Sequence, residues 1–490
     1  MRKQIVLICC LLFIIVLTIL SGCMVGPDYS RPETAAETAD SYYNAGKHDQ
    51  DVNDFSEVDR WWEQFGDPIT ADLVRESLEN NYSLKAAAAR VLQAQAVLTE
   101  THGRRLPDVS YNLSRDRSKR SFNFGGFAGG GRFTVMTTTW SQDITVAYIL
   151  DLFGKLKRSE QAAWADLLSA EANEQTLINS MIATVINARV NIATLQRRLD
   201  IARANTESMK KSVDIVERRY EQGLVGPVDI RLVRENLASL EAVEPVIELS
   251  LITARNALDE LLARRPGSSD ELPQTLGDLP DLEPVPVGVP ASLLDRRPDV
   301  RAAEFMLRAA NERIGVSIAQ LYPDLNLVGT FGYSDDIIES IFQQDETEMY
   351  AAIMSLAQPI FKGGQIRAQI KAAEARYSEL AADYAGTVIT AMREVEDALV
   401  TDQMLQAQLK HAQVRFREAS AAESLSKQRY ERGVEGILTV LESERRRRTS
   451  EEEVTILKGQ IWTNRVNLFL ALGGDWDYEE PSEEQVAMNK

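Results

Sequence analysis

The stretch "RRYEQGLVG", residues 218–226, returns as "QRYERGVEG", residues 428–436. Arg219, Tyr220, Glu221, Gly223 and Gly226 match Arg429, Tyr430, Glu431, Gly433 and Gly436, each 210 positions on. Arg255, Leu258 and Leu262 match Arg465, Leu468 and Leu472 at the same offset, and upstream "LPD" at 106–108 matches "YPD" at 322–324. The chain is therefore an internal duplication, and one repeat can be read for both.

Each quoted stretch ends a run without breakers. Lys155 to Gln222 holds neither Gly nor Pro, and Gln365 to Arg432 holds only Gly386. Leu177, Met181, Val185, Ala188, Ile192, Leu195 and Leu199 step by four or three, which is a helical seam of coiled-coil type. At 1.5 Å per residue such a helix is about 100 Å long. Gly223 and Gly433, each followed by a second glycine, predict chain reversals. Helical pattern runs back from Val228 to Ala263, is interrupted by the Pro-rich stretch 266–290, and resumes over Ala291–Gln320, with Pro298 as an early break. That order predicts two half-helices, Val228–Ala263 and Ala291–Gln320, stacked end to end on the return, and by the same logic Ile437–Leu472 stacked under Ala71–His102.

Between the helices the period changes from 3.6 to 2. Val109, Tyr111 and Leu113 alternate with Ser110, Asn112 and Ser114, and Ile144, Val146, Tyr148 and Leu150 alternate with Asp143, Thr145 and Ala147. These predict one hairpin per repeat, at about 106–153 and 322–361. Four strands are too few for a membrane barrel, which needs about eight or more, and their edges would be open. The pattern calls for an oligomer whose chains share one barrel; three copies is a reasonable closure, although composition does not fix the number.

The chain opens with Arg2 and Lys3, an uncharged run Ile5–Leu20, and Leu20-Ser21-Gly22-Cys23. This is an export signal, residues 1–22; the run falls short of the roughly 20 apolar residues of a spanning helix. Leu20–Cys23 also resembles the lipobox of bacterial lipoproteins, which implies cleavage before Cys23 and its acylation. Cys9 and Cys10 lie inside the signal, so no disulfide is expected. A formal charge of −19 speaks against a nucleic-acid partner.

The motifs "GPDYSRP" (26–32), "WWEQFGDP" (61–68), "LDLFG" (150–154), "RRPDVRAAE" (296–304), "QPIFKGG" (358–364), both "RYExG" turns and "LALGG" (470–474) together resemble the TolC-type outer-membrane efflux proteins, in the OprM/NodT-like lipoprotein branch. The resemblance covers the region after the signal almost entirely. It implies a mainly α fold with membrane β-hairpins: a homotrimer in which a long α-helical barrel continues into a shared twelve-stranded β-barrel. It divides the chain into a signal (1–22), a lipid-anchored N-terminal segment (23–68), a first repeat (69–290, with an equatorial linker at 264–290), a second repeat (291–472) and an acidic tail (473–490). It implies outer-membrane localisation with extension into the periplasm, a diacylglycerol and an N-acyl chain on Cys23, and docking to a periplasmic adaptor and an inner-membrane pump. No enzyme activity, metal or other cofactor is expected.

A duct must close at one end, and the glycine turns mark the tips. Leu438 and Glu442 stand i and i+4 and share a helix face. Three copies would make an apolar ring and a carboxylate ring, two recognised ways to gate a pore. Spacing alone favours Leu438 packed in a seam with Glu442 a solvated charge; the resemblance places the gate there. Thr439 departs from the family pattern, which can carry an acid at that position. The resemblance also places tip contacts at Tyr430 and Asp229, and Gly223, Gly226, Gly433 and Gly436 mark the turns that would meet the adaptor.

Other signals carry less. "ERRRR" (444–448) reads as a charged helix face, because Glu442–Arg446, Glu444–Arg448 and Arg447–Glu451 are i, i+4 pairs. His48, His102 and His411 have no metal spacing, and "GGFAGGG" (125–131) lacks the Lys-Ser/Thr of a phosphate loop. Trp61 and Trp62 are expected to pack the N-terminal segment onto the helices. The expected function is passive export through the outer-membrane duct of a tripartite efflux pump. A diffusion porin and a lipid-anchored periplasmic scaffold remain alternatives. The cargo and the particular adaptor and pump are not legible.

Overall fold

The computed structural model describes residues 24–39, 41–45, 61–123, 132–268, 290–342 and 347–474. Cys23, residues 46–60, most of the equatorial linker (269–289), the "GGFAGGG" loop and the tail from 475 lie outside the described residues. The elements are α1 Pro68–Asn80, α2 Tyr82–Gly103, β1 Asp108–Asn123, β2 Arg132–Leu150, α3 Lys155–Glu221, α4 Pro227–Leu261, α5 Leu293–Arg296, α6 Pro298–Ala319, β3 Asp324–Asp335, β4 Glu348–Ala357, α7 Gln365–Glu431 and α8 Ile437–Ala471. α3 and α7 are each 67 residues, and α4 and α8 each 35. No described helix is long and apolar enough to cross a membrane.

Where one helix is expected over Ala71–His102 there are two. Asn81 leaves the helical region with ψ 130°. Its side-chain oxygen accepts from Ser83 N at 2.8 Å, so it caps the helix that follows. Its amide and the Ser77 hydroxyl donate to Leu261 O at 2.9 and 3.0 Å. This corrects the expected stacking. The end of α4 abuts the α1–α2 junction of its own repeat, with Arg264 paired to Glu76, instead of meeting the Ala291–Gln320 helix. In the second repeat, Arg297 donates to Ala471 O at 3.0 Å, which ties the end of α8 to the start of α6. Helical periodicity cannot distinguish the two arrangements, because both bury the same helix ends.

The chain divides into two compact units, the first comprising Met1–Pro32, Val91–Ala170 and Ala303–Asp383, and the second Glu33–Arg90, Glu171–Ala302 and Tyr384–Lys490. The first holds an antiparallel sheet of order β1-β2-β3-β4, with β1 and β4 as edges unpaired among the described residues. The register sets residues in rows that share a face. Tyr111, Ile144, Phe331 and Tyr350 form one row, and Val109, Val146, Gly329 and Ala352 the next. The other face is polar: Asn112 donates to Asp143 at 3.0 Å, and Ser114–Ser141 and Thr145–Thr330 bond hydroxyl to hydroxyl at 2.8 and 3.2 Å.

The "GPDYSRP" stretch is a strap in this unit. Buried Arg158 donates to Glu312 at 2.8 Å and to Asp28 at 3.1 Å. Asn311 holds Pro27 O at 3.0 Å, and Tyr29 and Arg31 both reach Glu304, at 3.2 and 2.8 Å.

The second unit buries its core along α3, α7 and α8. In "WWEQFGDP", where packing is expected of Trp61 and Trp62, it is Phe65 whose ring lies 5.2 Å from the Trp462 ring and 5.5 Å from Phe469. Asp67 caps α1, accepting from Ile69 N at 3.3 Å and the Thr70 hydroxyl at 2.6 Å.

Candidate functional site

The two turns have the same construction. Gly223 and Gly433 take φ +73° and +75°. Leu224 N donates to Arg219 O at 2.9 Å and Val434 N to Arg429 O at 3.0 Å, while each glycine N donates three residues back at 2.9 Å. This is the six-to-one closure in which a left-handed glycine ends the helix. Gly226 and Gly436 then cap α4 and α8 in extended geometry. A Cβ on Gly223 would meet nothing within 4 Å, and one on Gly433 only Arg219 at 3.8 Å. Alanine at either position is therefore expected to cost only the backbone term, roughly 1–2 kcal/mol, read as a lower thermal unfolding midpoint.

Behind the turns lies an apolar cluster of Met209, Val213 and Val216 (α3), Ile230 and Val233 (α4), Tyr430 (α7), and Ile437, Val440 and Leu441 (α8). The duplicated tyrosines part ways here: Tyr430 is 7% exposed and Tyr220 42%. Tyr430 and Asp229 do not bond to each other within the chain. Asp229 accepts from Gly226 N at 3.2 Å as part of the α4 cap, and the Tyr430 hydroxyl has no hydrogen-bond partner among the described residues. Arg219 instead links the repeats, its guanidinium 4.5 Å from the Tyr430 ring centroid and its Nη1 donating to Tyr430 O at 2.7 Å. Burial pushes the Tyr430 phenol up; Arg219 opposes this and Asp229 adds to it.

The first turns of α8 expose Leu438, 63% accessible, with Glu442 and Arg445 along the same face. Glu442 is not a bare carboxylate. Arg445 donates to both of its oxygens at 2.8 Å, and Arg446 to Oε1 at 2.7 Å. These guanidiniums, Arg445 foremost, hold the carboxyl down from an ordinary 4.5 to about 2. Its ion pairs are complete above pH 4.5 and are lost only as the pH falls toward 2. Between pH 8 and 4, wild type and Glu442→Gln should show parallel pH profiles of conductance. In Arg445→Gln/Arg446→Gln, a titration near 4.5 should appear.

Sequence reading missed a buried charge cluster one turn further on. Lys427 Nζ lies 2.8 Å from Glu423 and 2.8 Å from Glu444, and Arg447 lies 2.6 Å from Glu423 and pairs with Glu451. Glu444 is 3% exposed. Of the expected "ERRRR" pairs, Glu442–Arg446 and Arg447–Glu451 form, while Glu444 turns inward to Lys427. Burial works against the Lys427 charge, yet the hydrogen bonds of Glu423 and Glu444 raise it above the usual lysine value. The i, i+4 spacing of Glu423 and Lys427 was the available signal.

Comparison with known proteins gives the family. Residues 73–264 and 289–474 match the family model of outer membrane efflux proteins, and the chain belongs to that family. It is 31% identical over 465 residues to outer membrane protein OprJ of Pseudomonas aeruginosa, covering 94% of each chain. It is 28% identical over 468 residues to the toluene efflux pump outer membrane protein TtgF of Pseudomonas putida, covering 94% of this chain and 95% of that one. The solved structure of the outer-membrane channel OprN superposes with a TM-score of 0.85 at 29% identity, over 93% of this chain and all of the other.

Proposed function

We propose that the chain is the exit duct of a tripartite efflux pump, a passive outer-membrane channel. Three copies share one twelve-stranded barrel, and their helices reach into the periplasm. The carrying observation is the sheet. One face is apolar, the other is polar, and both edges are unpaired among the described residues, so the barrel needs strands from other copies. The same chain carries 67-residue helices ending in two matched turns, a length that a diffusion porin does not need. A scaffold, in turn, has no use for the hairpins.

Cys23 carries the diacylglycerol and N-acyl chains. Support comes from the strap that begins three residues on, at Gly26, and is held by Arg158, Asn311 and Glu304. The turns at Gly223 and Gly433, with Gly226 and Gly436, present the docking edge to a periplasmic adaptor, which joins the duct to an inner-membrane pump. Leu438 supplies an apolar ring at the tip. The ring at Glu442 is a carboxylate already neutralised by arginines, so closure there relies on side-chain packing and ion pairs more than on repulsion between carboxylates.

In a bacterium stripped of its own ducts, the wild-type protein should leave entry of a large hydrophilic antibiotic unchanged. Leu438→Ala/Glu442→Ala should raise it several-fold. High entry with wild type would support the porin. No rise in the variant, with trimer present in the outer membrane, would move the gate elsewhere.

A further inference from the structure

The apolar face of β1 changes character along the strand. Val109, Tyr111 and Leu113 are followed on the same face by Arg115, Arg117 and Lys119, all exposed. In the register, Arg115 faces Trp140, Arg117 faces Thr138 and Lys119 faces Met136. Trp140 also faces Asp335, the last residue of β3. Beyond that row β1 and β2 continue as a two-stranded ribbon.

The rows give the height of this change. From Leu150 to Trp140 along β2 is about 33 Å at 3.3 Å per residue. At the usual barrel tilt of about 40° this rises about 25 Å, the height of the apolar band of an outer-membrane barrel. Trp140 and Tyr333 thus stand at the level of an aromatic girdle, on the side away from the helices. Arg117 and Lys119 stand above it, at the level of the outer headgroups. The Arg115 guanidinium lies 5.0 Å from the Trp140 ring centroid, which seats one cation at the boundary.

Charge supports the same assignment. Residues 115–123 and 132–140 contain five basic residues and one acidic residue, Asp116, in a chain of net charge −19. Asp116 alternates onto the other face. Glu348, the first residue of β4, lies in the row of Tyr333, which is the Leu113 row. Arg117 and Lys119 therefore stand two and three rows above it. Arg115, Arg117 and Lys119 have no carboxylate partner among the described residues.

We propose that Arg115, Arg117 and Lys119 bind the phosphate groups of the glycolipid that forms the outer leaflet around the barrel. The ribbon face is a lipid-binding site, and it fixes the height of the barrel in the membrane. Each basic side chain near an anionic lipid surface is worth roughly a five-fold factor in binding, so the three together are worth roughly 100-fold.

The test is native mass spectrometry of the full trimer in a neutral detergent, titrated with bis-phosphorylated lipid A and with the same lipid enzymatically dephosphorylated. Wild type should retain the phosphorylated lipid and bind the dephosphorylated form at least ten-fold more weakly. Arg115→Ser/Arg117→Ser/Lys119→Ser should lose that preference, whereas Arg120→Ser, on the other face, should keep it. If the triple variant does not assemble, the comparison of the two lipids on wild type alone decides. Equal binding of both lipids by wild type would overturn the proposal, as would an unchanged preference in an assembled triple variant. Millimolar inorganic phosphate should not displace the lipid; displacement would make this a free-anion site and overturn the assignment to lipid.

Discussion

Replacing Lys427 by methionine is expected to destabilise the helical tip by about 3 kcal/mol. The charge lies 2.8 Å from both Glu423 and Glu444. Glu423 would keep Arg447 at 2.6 Å, but Glu444, 3% exposed, would keep no ion pair among the described residues, only the Ser212 hydroxyl at 3.4 Å and the longer-range field of Arg448. A buried carboxylate without a cation is the costly outcome, and removing the second charge recovers much of it. Lys427→Met/Glu444→Leu should therefore unfold closer to wild type than Lys427→Met alone. Thermal unfolding of the four proteins of this cycle in one detergent checks the claim. A single variant as stable as wild type, or a double variant less stable than the single, would show that the cluster does not hold the tip.

Arg219→Ala is expected to have the largest effect on the closed state. Arg219 comes from the last turn of α3 and reaches the second repeat, stacking on Tyr430 and donating to its carbonyl at 2.7 Å. The stacking is worth about 0.5–1 kcal/mol and the charged hydrogen bond about 1.5–3 kcal/mol, so the substitution should cost about 2–4 kcal/mol of contact between the two turns. If closure depends on that contact, single-channel records should show a higher open probability and a larger conductance. Arg219→Lys keeps the charge but loses the planar fork and the stacking, and should fall between. Records indistinguishable from wild type in both variants would mean that the turns are held by the apolar cluster alone.

The duplication, the helix lengths, the reversals and the hairpins were legible because each rests on a local rule: glycine and proline placement, and periods of 3.6 and 2. The Asn81 break was not, since asparagine inside a helical pattern signals a cap only when a partner such as Leu261 stands opposite. The pairing of helix ends was misread for a related reason: which repeat supplies the partner is a long-range fact. At the tip, the resemblance located Leu438, Glu442, Tyr430 and Asp229 but not their partners. Arg219 is a duplicated residue like Arg429, and only the burial of Tyr430 gives it a role of its own. At Glu442 the i, i+4 spacing supplied one partner, Arg446; Arg445, at i+3, completes the clamp. Lys427 and Glu444 lie on different helices, so only the packing of α3, α7 and α8 brings them together.

The central claim is a duct closed at the ring of Leu438 and Glu442, and the most direct measurement is single-channel conductance of the purified trimer, wild type against Leu438→Ala and Glu442→Ala. A small wild-type conductance that rises sharply in either variant is the expected result. A large wild-type conductance, unchanged in both, would contradict closure at that ring.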